Sequence, residues 1–105
     1  MSTVGLPSLD PGQILMTPGA IDALTRAKQK PSEFVLRHIG LDRGDLCDSD
    51  HRKNLSAMRT GLRIFSSFKT AQGDALWVIS EYVDVEHGAD PRKRDLTTIL
   101  RPDEY

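Results

Sequence analysis

Three histidines, one cysteine and two groups of carboxylates are the side chains in this 105-residue sequence that invite a chemical reading. His38 follows Phe34 by four residues, about one helical turn, so the two share a face and the imidazole lies near a buried surface. A general base or a metal ligand can stand at such a place. The plainer reading is a half-buried histidine bonded to a carbonyl or to a loop aspartate, and it is favoured. Cys47 and His51 have C-x3-H spacing, with Asp45, Asp48 and Asp50 close by in sequence. Structural zinc takes four ligands from paired motifs, and no second pair exists, so neither a metal nor a cofactor is expected. The same aspartates would raise the Cys47 thiol pKa, which argues against Cys–His nucleophilic catalysis.

The segment 40–50 (GLDRGDLCDSD) sets Asp42, Asp45, Asp48 and Asp50 against Arg43 alone. A calcium loop would need glycine at its sixth position and a bidentate glutamate at its twelfth, and neither fits. Two readings remain. One is a helix-capping loop in solvent. The other is a negative patch that occupies the basic nucleic-acid groove of a partner protein, charge complementarity supplying speed and specificity. A second constellation, His38, Arg63, Ser66, Glu81 and Thr98, supplies a base, a cation and hydroxyl anchors for phosphodiester chemistry in a sheet-based cleft. Its plainer reading is the polar face of a half-exposed sheet. Arg92-Lys93-Arg94 is surrounded by Glu81, Asp84, Glu86, Asp90, Asp95 and Asp103, and reads as a solvated loop. No P-loop, G-x-G-x-x-G, H-E-x-x-H or G-x-S-x-G is present.

The elements that must position these residues follow from periodicity. Residues 1–12 (MSTVGLPSLDPG) read as a flexible leader, and 13–105 as one domain. Ile14–Met16 is a short apolar run that suits a brief strand or a helix entry. Thr17-Pro18 starts a helix, Thr17 capping with its hydroxyl and Pro18 losing no needed donor. Pro31 ends that helix and opens another to Ile39, which Gly40 stops. A third is expected from Ser49 to Thr60, with Gly61 as terminator and Leu55, Met58 and Leu62 as its apolar stripe. At Leu62 the period changes to two. Strands are expected from there to Lys69, from Ala75 to Val85 and from Leu96 to Arg101, the first two joined by the turn Ala71-Gln72-Gly73-Asp74. Trp77, mid-strand, reads as core. The predicted fold is α+β, with two or three helices on one face of a three-stranded antiparallel sheet and a further short N-terminal strand as an option.

Composition bounds the function classes. Hydrophobic residues make up 38% and charged residues 28%, with 14 Lys+Arg against 15 Asp+Glu and a net charge of −1. That balance excludes a disordered polyelectrolyte and argues against direct nucleic-acid binding, which needs a basic excess. No apolar run approaches the roughly 18 residues of a membrane helix, and the first ten residues lack the pattern of a signal peptide. A single cysteine fits a reducing compartment, so a cytoplasmic location is expected.

Thr17-Pro18-Gly19-Ala20, Arg37-His38, Gly44-Asp45-Leu46, Asn54, Ser66, Trp77-Val78-Ile79-Ser80-Glu81, Thr97-Thr98-Ile99-Leu100 and Pro102-Asp103-Glu104-Tyr105 fall in a recognisable order. The ordered pattern, spanning residues 14–105, resembles a family of short proteins of no settled activity carried by bacterial plasmids, integrative elements and phages. This chain departs from it at Arg43, where the family has tryptophan, and at 82–95, which is longer. The resemblance implies an accessory protein of a mobile element. The expected function is therefore non-enzymatic: binding and modulation of a host protein, such as a component of a restriction or CRISPR defence system. Asp42, Asp45, Asp48 and Asp50 are the expected contact residues. The alternative is a small ribonuclease of the barnase/RelE-like type using the His38 set. Self-association through a sheet edge is a third outcome that the strand pattern allows.

Overall fold

A computed structural model of the chain describes residues 9–82 and 90–105. Strand β1 (Gln13–Met16) leads into helix α1 (Pro18–Ala27), followed by α2 (Pro31–Ile39) and α3 (Asp48–Thr60). Strands β2 (Ile64–Lys69), β3 (Ala75–Glu81) and β4 (Leu96–Leu100) come next, then a 3-10 turn at Pro102–Glu104. The predicted caps form. Thr17 Oγ1 accepts from the Ala20 N–H ahead of Pro18, and Gly61 closes α3 at φ 81°.

The fold is α+β, but the sheet is not three antiparallel strands. It has four, in the order β1-β4-β3-β2, and β1 pairs with β4 in parallel, Gln13 opposite Leu96 through Met16 opposite Ile99. β2, β3 and β4 form the expected antiparallel meander, with Phe65 opposite Ile79 and Val78 opposite Ile99. The parallel pair joins residues more than eighty positions apart and needs no turn, so it leaves no local signature.

One sheet face carries Ile64, Ser66, Phe68, Leu76, Val78, Ser80, Thr97 and Ile99, all buried, and packs against α1 and α2. Ala20, Ala23, Leu24 and Phe34 complete that core. A smaller cluster joins Leu9, Leu41, Ala57, Met58 and Ile64. Leu9 is 2% exposed, Asp10 bridges to Lys93, and the Asp10 N–H donates to the Arg92 carbonyl at 2.8 Å. Residues 9–12 are thus tied to the fold where the Pro/Gly pattern suggests a leader, by the buried Leu9 side chain and by backbone hydrogen bonds to partners distant in sequence. Residues 1–8 lie outside the described residues. So do residues 83–89 of the connection 82–95, including the end predicted for the second strand.

α3 runs along the outer edge of β2. Its predicted stripe is wrong at two positions: Leu55 and Leu62 are exposed, while Asn54, Ala57 and Met58 are buried. Asn54 is the reason. Its side chain donates to the Phe65 carbonyl at 2.6 Å and accepts from the Phe65 N–H at 3.1 Å, so it satisfies an edge residue that no neighbouring strand pairs. The Asp45 N–H does the same for the Ser67 carbonyl at 2.8 Å.

Candidate functional site

His38 is fully buried on the helix-covered face. Its Nδ1 lies 2.7 Å from Ser66 Oγ and its Nε2 2.7 Å from Ser80 Oγ. Ser80 Oγ meets Thr97 Oγ1 at 2.5 Å, and the Thr97 hydroxyl donates to the Pro11 carbonyl at 2.8 Å. That last bond orders the whole chain, because a carbonyl can only accept. Thr97 has spent its proton on Pro11, so it must accept from Ser80. Ser80 must then accept from an Nε2–H, and Ser66 donates to a bare Nδ1. Burial, reinforced by the Arg94 charge, lowers the His38 pKa from 6.5 to about 4. With its pKa lowered, the imidazole is neutral at pH 7, and the chain then holds it in the Nε2–H tautomer.

This arrangement divides the residues that the sequence groups into a catalytic set. His38 and Ser66 lie under the helices. Thr98 faces the other side of the sheet beside Ile79, and Glu81 shares that side opposite Leu96, as does Arg63 by strand alternation. No one cleft holds the five. A histidine whose two nitrogens are both bonded to buried hydroxyls is a structural tie, and this geometry gives it no reach to a substrate.

The acidic loop is also less bare than its count suggests. Arg37 Nε donates to Asp42 at 2.8 Å and Arg43 pairs with Asp48. Lys69 lies 4.0 Å from Asp45, and Lys53 3.9 Å from Asp50. The hydrogen bond from Arg37 holds the Asp42 carboxyl below its usual pKa. Exposed pairs of this kind add little stability, but they offset the field of each carboxylate.

The other sheet face carries the cavity. Neither α1 nor α2 packs on it; the segment that follows β4 folds over part of it and brings Tyr105 to Trp77. Phe65, Trp77 and Ile79 form the floor and Tyr105 a wall of a pocket of about 310 Å3. Phe65 stands edge-on to Trp77 at 5.0 Å between ring centroids, and Trp77 edge-on to Tyr105 at 5.6 Å. α3 contributes Asp50, Lys53 and Asn54 to the rim, and Arg63 completes it. Arg63 Nη1 donates to the Tyr105 hydroxyl at 2.5 Å.

No family model, curated protein or solved structure matches this chain.

Trp77 is therefore half-buried at a pocket where its mid-strand position suggested core. Phe65, Tyr105 and Lys53 are absent from both sequence-derived sets. The usable signal was the alternation Arg63, Phe65, Ser67, Lys69, which puts an aromatic ring between cations on one face. Cys47 is exposed, and among the described residues no group of three His, Cys, Asp or Glu side chains could hold a metal ion.

Tyr105 is placed by its neighbour. Glu104 accepts from the Thr17 hydroxyl at 2.5 Å, the Gly19 N–H at 2.9 Å and the Arg101 N–H at 2.9 Å, so its carboxylate sits on the N-terminus of α1. These bonds, the Thr17 hydroxyl first, hold the Glu104 pKa below its ordinary value. A Cβ at Gly19 would lie 2.6 Å from that carboxylate. Gly19→Ala is expected to push Glu104 off the N-terminus of α1 and so release the segment that carries Tyr105. Trp77 should then become more accessible to acrylamide quenching; unchanged quenching would show that Glu104 does not hold the cavity wall.

Proposed function

We propose that this chain is a non-enzymatic binding protein that docks a partner protein on the open sheet face, with the Trp77 cavity as anchor pocket. One observation carries the reading: Phe65, Trp77 and Tyr105 form a contiguous, incompletely buried aromatic cluster rimmed by Lys53, Arg63 and Asp50. Aromatic residues with arginine, ringed by polar groups, make up the energetic centre of protein interfaces. The resemblance to proteins of plasmids and phages supports a host protein as the partner, as a counter-defence factor would require. The ribonuclease alternative is not favoured, since its residues are divided between the two sides of the sheet.

The test is capture from nuclease-treated host lysate by tagged wild type, Trp77→Ala, Tyr105→Ala, and the variant with Asp42, Asp45, Asp48 and Asp50 all changed to Asn. A stoichiometric protein should be held by wild type and by the quadruple variant, and lost with either aromatic change. Loss with the aspartates alone would move the interface to the loop 40–50. Capture of RNA alone, abolished by nuclease, would overturn the reading.

A further inference from the structure

Arg26, Arg37, Arg43, Arg92 and Arg101 each have an aspartate within ion-pair distance. Arg63 does not: among the described residues its partner is the Tyr105 phenol, with the guanidinium carbon 5.7 Å from that ring's centroid. Arg52 and Arg59, exposed on α3, are absent from the lining of the cavity that Arg63 borders. A guanidinium presents five N–H donors in a planar fork matched to a carboxylate. Here one donor is tethered to Tyr105, which restrains the fork at the mouth of an aromatic cavity.

We propose that this site reads an acidic peptide segment of the partner, a carboxylate on the Arg63 fork beside an aromatic side chain seated on Trp77. The proposal rests on the docking reading above and names the chemistry of its occupant. Charge supports it. Among the charged side chains of the rim, Lys53 and Arg63 stand against Asp50 alone, in a chain whose formal net charge is −1. Lys53 is 79% exposed in its side chain and only 3.9 Å from Asp50, so a second carboxylate can draw it away. Size supports it as well. A volume of about 310 Å3 is at the lower limit for ligand pockets and suits one side chain with its flanking backbone. A polynucleotide fits less well, because beyond the rim this sheet face offers Lys69 beside Asp45, and Glu81, and so no basic track for successive phosphates. Asp50 sets direction: it repels the ligand carboxylate toward Arg63 and accepts from a peptide N–H.

The experiment uses the full chain and three probes: the capped dipeptide acetyl-Phe-Glu-amide, its neutral counterpart acetyl-Phe-Gln-amide, and AMP. Binding is followed by the NMR shifts of the Trp77 indole N–H and the Arg63 Nε–H. The acidic dipeptide should bind about tenfold more tightly than the neutral one, as a charge-assisted paired contact should. Arg63→Gln should erase that preference, and Arg63→Lys should not restore it, since an ammonium lacks the fork. Equal binding of the two dipeptides to wild type would overturn the proposal, and so would preference for AMP, which would mark a nucleotide site. If none of the probes binds while Trp77→Ala still abolishes partner capture, the docking reading stands and the acidic-segment proposal falls.

Discussion

His38→Ala should destabilise the fold by about 4 kcal/mol, a large share of the roughly 5–15 kcal/mol that holds a domain of this size. Two costs combine. Removing the ring leaves a void in a packed interior. It also strips Ser66 of its acceptor and Ser80 of its donor, and each unpaired buried polar group costs about 1–3 kcal/mol. The second cost makes a sharper prediction. His38→Leu with Ser66→Ala and Ser80→Ala removes every member of the tie except Thr97, which keeps its bond to the Pro11 carbonyl. The triple variant should therefore be more stable than His38→Leu alone, although it carries more changes. Urea midpoints at constant slope decide this; additive losses would mean the hydroxyls are paired by something else.

The same residue sets a pH dependence. Its folded pKa of about 4 lies below the unfolded value of 6.5, so as pH falls the unfolded chain takes up the proton first. The stability it contributes is complete above about pH 6.5, declines through the interval to pH 4, and is then exhausted. The full span is about 3 kcal/mol. Asp42, Asp90 and Glu104, with lowered carboxyl pKa values, lose their contributions near and below pH 4, so they do not fill the upper part of this window. Wild-type stability should fall between pH 6.5 and 4.5, and the His38→Leu triple variant should be nearly flat there. A parallel decline in both would assign the slope to other groups.

Local chemistry was legible in this sequence, and long-range pairing was not. Thr17-Pro18, Gly61 and the turn before Asp74 declare themselves because a cap or a hairpin is decided by residues a few positions apart. The shared face of Phe34 and His38 is legible for the same reason. What His38 bonds to is not, since Ser66, Ser80 and Thr97 come from three strands whose register only the assembled sheet fixes. Period-two alternation did place Ser66 opposite in sense to Arg63, yet a list of chemically suitable residues ignores which side of a sheet each occupies. That is how the five-residue set came to span both faces. Aspartates are countable, whereas Arg37 and Lys69 lie in other elements, and only the assembled fold brings them to Asp42 and Asp45.

Arg94 is the largest departure, and the second large effect is expected there. In sequence it ends a basic tripeptide that looks solvated; in the structure it is 3% exposed. Nη2 donates to the Leu62 carbonyl at 2.7 Å and the Ala57 carbonyl at 3.0 Å, Nε to Leu62 at 3.2 Å, and Nη1 to the Lys93 carbonyl at 2.8 Å and to that of Pro91. The guanidinium lies 5.2 Å from the centroid of the Tyr82 ring. One side chain thus ties the approach to β4 to the end of α3 and the chain entering β2, while its own N–H donates to Asp10. Burial lowers its pKa from the ordinary value, but a guanidinium stays charged, so the carbonyls must supply its solvation. Arg94→Ala should cost about 4 kcal/mol, because it leaves several carbonyls without their donor. That corresponds to a fall in Tm of about 20 °C for a domain of roughly 100 residues. Arg94→Lys should recover less than half of it, since an ammonium keeps the charge but cannot span Pro91, Ala57 and Leu62 together. Amide exchange at Asp10 and Gly61 should accelerate in both variants, because those segments meet at the guanidinium. A lysine variant melting with wild type would mean that charge, and not the planar fork, holds this corner of the fold.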